Sequence, residues 1–137
     1  MMFSETLNKL QLNESETIGM LIGFLRDEIS KVGVKKSVLG LSGGIDSSLS
    51  AFLAAKAMGP ENVTGVIMPY RLSSPKSEED ARAVAKACGI NIKVVDISRQ
   101  VDAYFELYKE ASELRKGNKM ARERMTILYD HSAMLNA

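Results

Sequence analysis

Gly40-Leu41-Ser42-Gly43-Gly44-Ile45-Asp46-Ser47-Ser48 decides how the rest of the chain is read. A short apolar run, Ser37-Val38-Leu39, precedes it with β-branched character, and Leu49 to Met58 reads as a helix after it. The pattern is strand, glycine-rich turn, helix. Two adjacent glycines let a ligand come close to the backbone, because no Cβ stands in the way. The helix that follows directs its first free N–H groups, with their partial positive charge, back into the turn. Such a turn is a ready anion site, and phosphate is the usual occupant. Ser42, Ser47 and Ser48 add hydroxyl groups, and Asp46 adds a carboxylate. A carboxylate beside a phosphate cradle makes physical sense when Mg²⁺ lies between them.

Three readings compete for this stretch. It is a plain strand-to-helix turn in which Asp46 or Ser47 caps the helix. It is a G-x-S-x-G nucleophile elbow at Gly40 to Gly44, which needs a later acid and then a histidine; His131 is the only histidine in the chain. Or the whole S-G-G-x-D-S-S string is a pyrophosphate loop. It is neither a Walker loop, since no G-K-[ST] follows, nor a G-x-G-x-x-G turn.

Working outward, Asn13 or Ser15 caps a first helix whose Ile18, Leu21, Ile22, Leu25 and Ile29 share one face, with Gly33 as its stop. That face suits a core or a subunit interface. The helix after the loop stops at Gly59-Pro60, and Val63 to Met68 reads as a strand buried on both faces. Pro69 ends it. Ser77 is the expected cap of the next helix, with Ala81, Val84, Ala85 and Cys88 inward and Gly89 at its end. Ile92 to Ile97 is a third strand. Ser98 caps a helix carrying Val101, Tyr104, Phe105 and Tyr108, whose aromatics are expected in the core. A polar break at Glu113 to Gly117 precedes a last helix from Asn118, in which Arg122 and Arg124 do not share a face. Strands separated by helices argue for a parallel sheet covered on both sides. Ligands then bind at the carboxyl ends of its strands, where residues 42–48 and 69–76 form two neighbouring loops able to enclose one nucleotide.

The 137 residues suffice for one domain with a core, and 45% hydrophobic with 26% charged residues marks an ordinary globular chain. A net charge of +1 gives no sign of a nucleic-acid or membrane surface. The single Cys88 rules out an internal disulfide and fits a reducing, cytoplasmic setting. Met1 to Glu16 carries no signal-peptide pattern, and no apolar run approaches the ~18–20 residues that span a membrane.

The S-G-G-x-D-S-S string resembles the signature of N-type ATP pyrophosphatases, which adenylate a substrate oxygen and release pyrophosphate. Lys116-Gly117-Asn118 followed by Ala121-Arg122-Glu123-Arg124-Met125 resembles the G-N-x-x-A-R-x-R-M segment of ammonia-dependent NAD⁺ synthetases. The match runs from the first helix to Ala137 and corresponds to roughly the first half of a typical member. The resemblance implies a Rossmann-like, adenine-nucleotide-hydrolase-type α/β fold, three layers α/β/α around a parallel sheet. Of the strand order 3-2-1-4-5, strands 3-2-1 are present and the later ones are missing. Residues 1–137 then form a single, incomplete domain, with the first strand at an edge open to pairing.

The resemblance also implies the chemistry. ATP lies with its phosphates along Gly40, Leu41, Ser42, Gly43, Gly44, Ile45, Asp46, Ser47 and Ser48, and Asp46 helps hold Mg²⁺. The nicotinate carboxylate of deamido-NAD⁺ attacks the α-phosphate, and ammonia converts the adenylate to NAD⁺ and AMP. Arg122, with Asn118 nearby, serves deamido-NAD⁺. No residue is a covalent nucleophile. Members are usually homodimers. Many carry an Arg just before L-P-Y; Ile67-Met68-Pro69-Tyr70 lacks it here, and Arg71 is the candidate to take its place. Because the family continues past Ala137 with further ligands, the chain is expected to be inactive alone. The alternatives are another pyrophosphatase of the superfamily, GMP-synthetase-like or tRNA-modifying, and a non-catalytic nucleotide-binding remnant.

Overall fold

The computed structural model describes residues 12–137. Helix α1 spans Glu14–Val32, α2 Ile45–Met58, α3 Pro75–Cys88, α4 Ser98–Phe105 and α5 Glu113–Leu135. Strands β1, β2 and β3 span Ser37–Gly40, Val63–Ile67 and Asn91–Val94, and a single 3₁₀ turn, Pro60–Asn62, leads into β2. The strands pair in parallel in the order β1-β2-β3, with Ser37 opposite Val63 and Thr64 opposite Asn91. β2, the most apolar run, is therefore central. This is the Rossmann-like α/β arrangement with the 3-2-1 order, and β1 is an edge of the sheet among the described residues.

Each face of the sheet carries its own core. On one, Leu41, Val63 and Ile67 pack with Ala51, Ala55, Ala81 and Ala85 of α2 and α3. On the other, Val66 and Met68 pack with Ile97 and Val101, and Phe105, Met120, Ile127 and Leu128 close over them from α4 and α5. The alanines let α2 and α3 lie close to the strands. Gly65 serves the same end, since a Cβ there would stand 3.3 Å from the Leu41 side chain and 3.4 Å from Ile90.

The caps at Asn13, Gly33 and Gly89 stand as expected: the Asn13 side chain accepts from the Glu16 N–H, and both glycines are left-handed, at φ 78° and 71°. Other boundaries differ. α2 starts at Ile45 with Gly44 as its cap, so Asp46 and Ser47 lie in the first turn rather than capping it. α3 starts at Pro75 behind Ser74, not behind Ser77, because proline suits the first helical position, where its missing N–H costs nothing. α5 runs unbroken through Gly117 from a Ser112 cap that accepts from the Arg115 N–H, so Asn118 sits inside it. β3 stops at Val94, and its residues are exposed. Phe105 is half-buried, but Tyr104 and Tyr108 are exposed rather than core, their ring centroids 5.3 Å apart and their planes tilted by 43°. α1 buries no residue, so its apolar face is not core. Cys88 packs half-buried against the α2–α3 core, which pushes its thiol pKa up by burial. Among the described residues no helix is long and apolar enough to cross a membrane.

The loop after β2 is pinned to α4. The Tyr70 hydroxyl donates to Asp102 Oδ1 at 2.8 Å, and Arg71 Nη1 lies 2.9 Å from Asp102 Oδ2. The Arg71 N–H donates to Ser98 Oγ, the Ile97 N–H to the Pro69 carbonyl, and the Ser98 N–H to Asp96 Oδ1; the Ser98 hydroxyl and then its N–H hold the Asp96 carboxyl below its ordinary pKa. The hydrogen bond to Asp102 favours the neutral phenol, so Tyr70 titrates above its ordinary value, burial adding to the effect. A group whose folded value is raised lends stability below its unfolded pKa and loses it as pH rises through the folded one. The clasp therefore holds at neutral pH and opens in strong alkali. Asp102→Ala is expected to bring the Tyr70 titration down towards that of free tyrosine and to cost about 1–2 kcal/mol for the lost bonds. Ultraviolet titration and thermal melting check both.

Candidate nucleotide site

The glycine-rich turn leaves β1 at the carboxyl edge of the sheet. Leu41 stays in the ladder, its N–H donating to the Val66 carbonyl at 2.9 Å. Ser42 then turns the chain. Its N–H donates to Ser47 Oγ at 3.2 Å, the two hydroxyls are 3.0 Å apart, and the Gly44 N–H donates to Ser42 Oγ at 3.3 Å. Ser47 and Ser48 both donate to the Gly44 carbonyl. The serines therefore hold the turn in shape before any ligand arrives. Gly43 has φ +80°, and a Cβ there would stand 2.5 Å from the Ser77 carbonyl oxygen. The turn is thus pressed against the first turn of α3. No side chain caps α2, so the N–H groups of its first turn lack the partner that a capping residue supplies.

A cleft of about 750 Å³ opens beside this turn. Gly40, Leu41 and Ser42 line one side, and Met68 to Arg71 at the end of β2 the other. Two neighbouring strand ends thus share one cavity, as the parallel order requires. α5 contributes Ala121, Arg124, Met125 and Leu128. A Cβ at Gly40 would meet Met68 at 3.3 Å and Leu128 at 3.4 Å, so glycine there keeps this end of the cleft open. A second cleft, of about 610 Å³, lies between the same loop and α4–α5, and Tyr70, Arg71, Ser73 and Arg124 line both.

The residues singled out in the sequence fall into two groups. Gly40, Leu41 and Ser42 line the cleft, and Gly43 to Ser48 form the turn and helix start beside it. Asp46 is exposed in the first turn of α2. Among the described residues, no group of three acidic, histidine or cysteine side chains gathers around a point that would hold a metal. Asn118 and Arg122 are exposed and line neither cleft; Arg122 Nη1 donates to the Asn118 carbonyl one turn back. Arg71 reaches the mouth of both clefts, paired with Asp102.

Arg124, to which the sequence reading gave no part in the site, lines the cleft. Its Nε donates to the Met68 carbonyl at 3.0 Å, and burial lowers the guanidinium pKa from its ordinary value. The signal was present in the spacing. Met120, Arg124, Ile127 and Leu128 recur at helical intervals, which puts Arg124 on the inward stripe of α5 and Arg122 on the outer face.

Known proteins converge on one family. The family model for NAD synthase matches residues 17–137. The NH₃-dependent NAD⁺ synthetase of Trichlorobacter lovleyi is 58% identical over 128 residues, covering 93% of this chain and 47% of the relative. Among solved structures, the NH₃-dependent NAD synthetase of Campylobacter jejuni, in complex with nitrate, superimposes with a TM-score of 0.87 at 31% identity, over 93% of this chain and 55% of that one. The glutamine-dependent NAD⁺ synthetase of Acinetobacter baumannii, in complex with ADP, gives a TM-score of 0.84 at 31% identity, over 91% of this chain and 24% of that one. The chain spans about half the length of the curated relatives it matches. With its parallel sheet, its glycine-rich turn and the cleft between the ends of β1 and β2, the chain belongs to the NAD synthase family.

Proposed function

We propose that the cleft binds ATP, with the phosphates at the turn Gly40–Ser48, for the ATP-dependent amidation of deamido-NAD⁺ by ammonia. The observation that carries this reading is the turn itself. Gly43 and Gly44 expose backbone at a helix start that no side chain caps, beside a cleft that the end of β2 shares. The apolar Leu41, Met68 and Leu128 in the cleft lining suit a base, and the turn suits phosphates. The ADP held by the Acinetobacter relative supports a nucleotide here. The carboxylate of deamido-NAD⁺ attacks the α-phosphate, pyrophosphate leaves, and ammonia displaces AMP from the adenylate. The chain's own contribution is alignment and charge stabilisation rather than a covalent nucleophile. Arg122 and Asn118 are the proposed contacts for deamido-NAD⁺.

Mg²⁺ fits the donor set that is present. It commonly takes one or two carboxylates together with substrate phosphates and water, and Asp46 offers one exposed carboxylate in the first turn of α2. When bound, the ion neutralises phosphate charge. A homodimer is the proposed assembly, supported by the exposed Met20 and Phe24 on α1, and the cytoplasm is the proposed setting.

Asp46→Ala tests the reading. It is expected to weaken binding of Mg-ATP about tenfold or more in calorimetry, the size of one charge-assisted contact, and to leave metal-free ATP nearly unchanged or tighter. Equal loss with and without Mg²⁺ would remove the metal role from Asp46.

A further inference from the structure

Among the described residues, Arg124 is a half-buried cation without a counter-ion. Among the described residues its one recorded hydrogen bond is to a neutral acceptor, the Met68 carbonyl, and it has no ion-pair partner. Five acidic side chains line the two clefts: Glu78 pairs with Arg82, Asp96 accepts from the Ser98 N–H, Asp102 holds Arg71 and Tyr70, Glu113 pairs with Lys116, and Glu106 makes no ion pair with Arg124. A guanidinium carries five N–H donors in a planar fork matched to an oxyanion. Arg124 uses one of them on the Met68 carbonyl, and the residue lines both clefts. A partly desolvated charge left unpaired is costly, and an arriving anion removes that cost.

The geometry points to Arg124 as an oxyanion-binding residue at the junction of the two clefts, taking a phosphate or a carboxylate of the substrates. This rests on the ATP-cleft reading for the identity of the substrates, but not for the anion site itself. The bond to Met68 holds the guanidinium in place before the anion arrives. Two sources share this chemistry: the phosphates of the nucleotide and the nicotinate carboxylate of the second substrate.

The test uses the whole 137-residue chain. The Arg124 Nε–H is tied to the Met68 carbonyl, so its NMR signal should be resolved, and it is assigned by its loss in Arg124→Lys. It is followed while pyrophosphate, ATP, adenosine, deamido-NAD⁺ and NAD⁺ are added separately. Saturable movement with pyrophosphate and ATP but not adenosine supports the inference and names phosphate as the source. Movement with deamido-NAD⁺ but not with NAD⁺, which differs from it by an amide in place of the carboxylate, supports it and names the carboxylate. Movement with pyrophosphate alone supports the anion site while the ATP reading fails. A signal that no anion moves overturns the inference, whatever ATP does at the glycine-rich turn. In calorimetry Arg124→Gln is expected to weaken the responding ligand by about tenfold or more, since one charge-assisted contact is lost. Equal affinity in Arg124→Gln and the native chain would also overturn it and leave Arg124 as a tie between α5 and β2.

Discussion

Gly43→Ala is expected to destabilise the chain by about 3 kcal/mol or more and to abolish nucleotide binding together with stability. Two independent costs meet at this residue. A φ of +80° is left-handed, and an L side chain there costs roughly 1–2 kcal/mol. The added Cβ would also stand 2.5 Å from the Ser77 carbonyl oxygen and 3.1 Å from Asp80 Cβ. The nearest atom is backbone in the first turn of α3, so it cannot swing aside as a flexible side chain would. Either the turn or the start of α3 must move. Gly44 is the internal comparison. It has an ordinary φ of −77°, and its added Cβ meets only Ser42 Oγ, at 3.3 Å. Gly44→Ala should therefore cost well under half as much. Thermal melting of the two variants side by side checks this, and equal losses would mean that the contact with α3 is unimportant.

Leu41→Ala should cost about 2–5 kcal/mol, the range for truncating a buried leucine. Leu41 is 2% exposed, packs over Gly65 in the α2–α3 core, and also lines the cleft. Its loss leaves a void on the core side that the sheet cannot close, because β1 and β2 are held in register by their ladder. Denaturant unfolding should show a lower midpoint with little change in slope, since the surface exposed on unfolding is nearly the same. If Leu41→Ala loses under 1 kcal/mol, the core is more plastic than its packing indicates.

The sheet and its order could be read from sequence because Val63 to Met68 is an unbroken apolar run between helical stretches, and such a run belongs at the centre of a parallel sheet. Gly33 and Gly89 marked helix ends for a local reason: only glycine enters the left-handed region freely. The starts of α2 and α3 were harder. Gly44 caps through backbone alone, and Pro75 begins a helix that Ser77 had been expected to cap. Gly117 looked like a break but sits in α5 with nothing within 4 Å of its missing Cβ, and packing on either side of it outweighs its weak propensity. Tyr104 and Tyr108 were expected in the core because helical spacing places Phe105 and Val101 there. α4 ends at Phe105, so the register that carries Val101 inward does not continue to Tyr108.

The candidate site was legible where local chemistry makes it. A turn such as Gly40–Ser48 is built from its own glycines and serines, so its shape follows from its own residues. The contributions of Met68, Tyr70 and Arg124 depend on which strand ends and helix faces meet across the fold. Arg124 is separated from Met68 by 56 positions, and only the inward stripe of α5 hinted at that contact.

The most direct test of the account is a titration of the native chain with Mg-ATP, following every backbone amide by NMR. The account predicts saturable shifts at Ser42 to Ser48 and at Met68 and Tyr70, with α1 amides such as that of Phe24 unmoved. Saturation without movement at Ser42 to Ser48, or no binding at millimolar ATP, would contradict it.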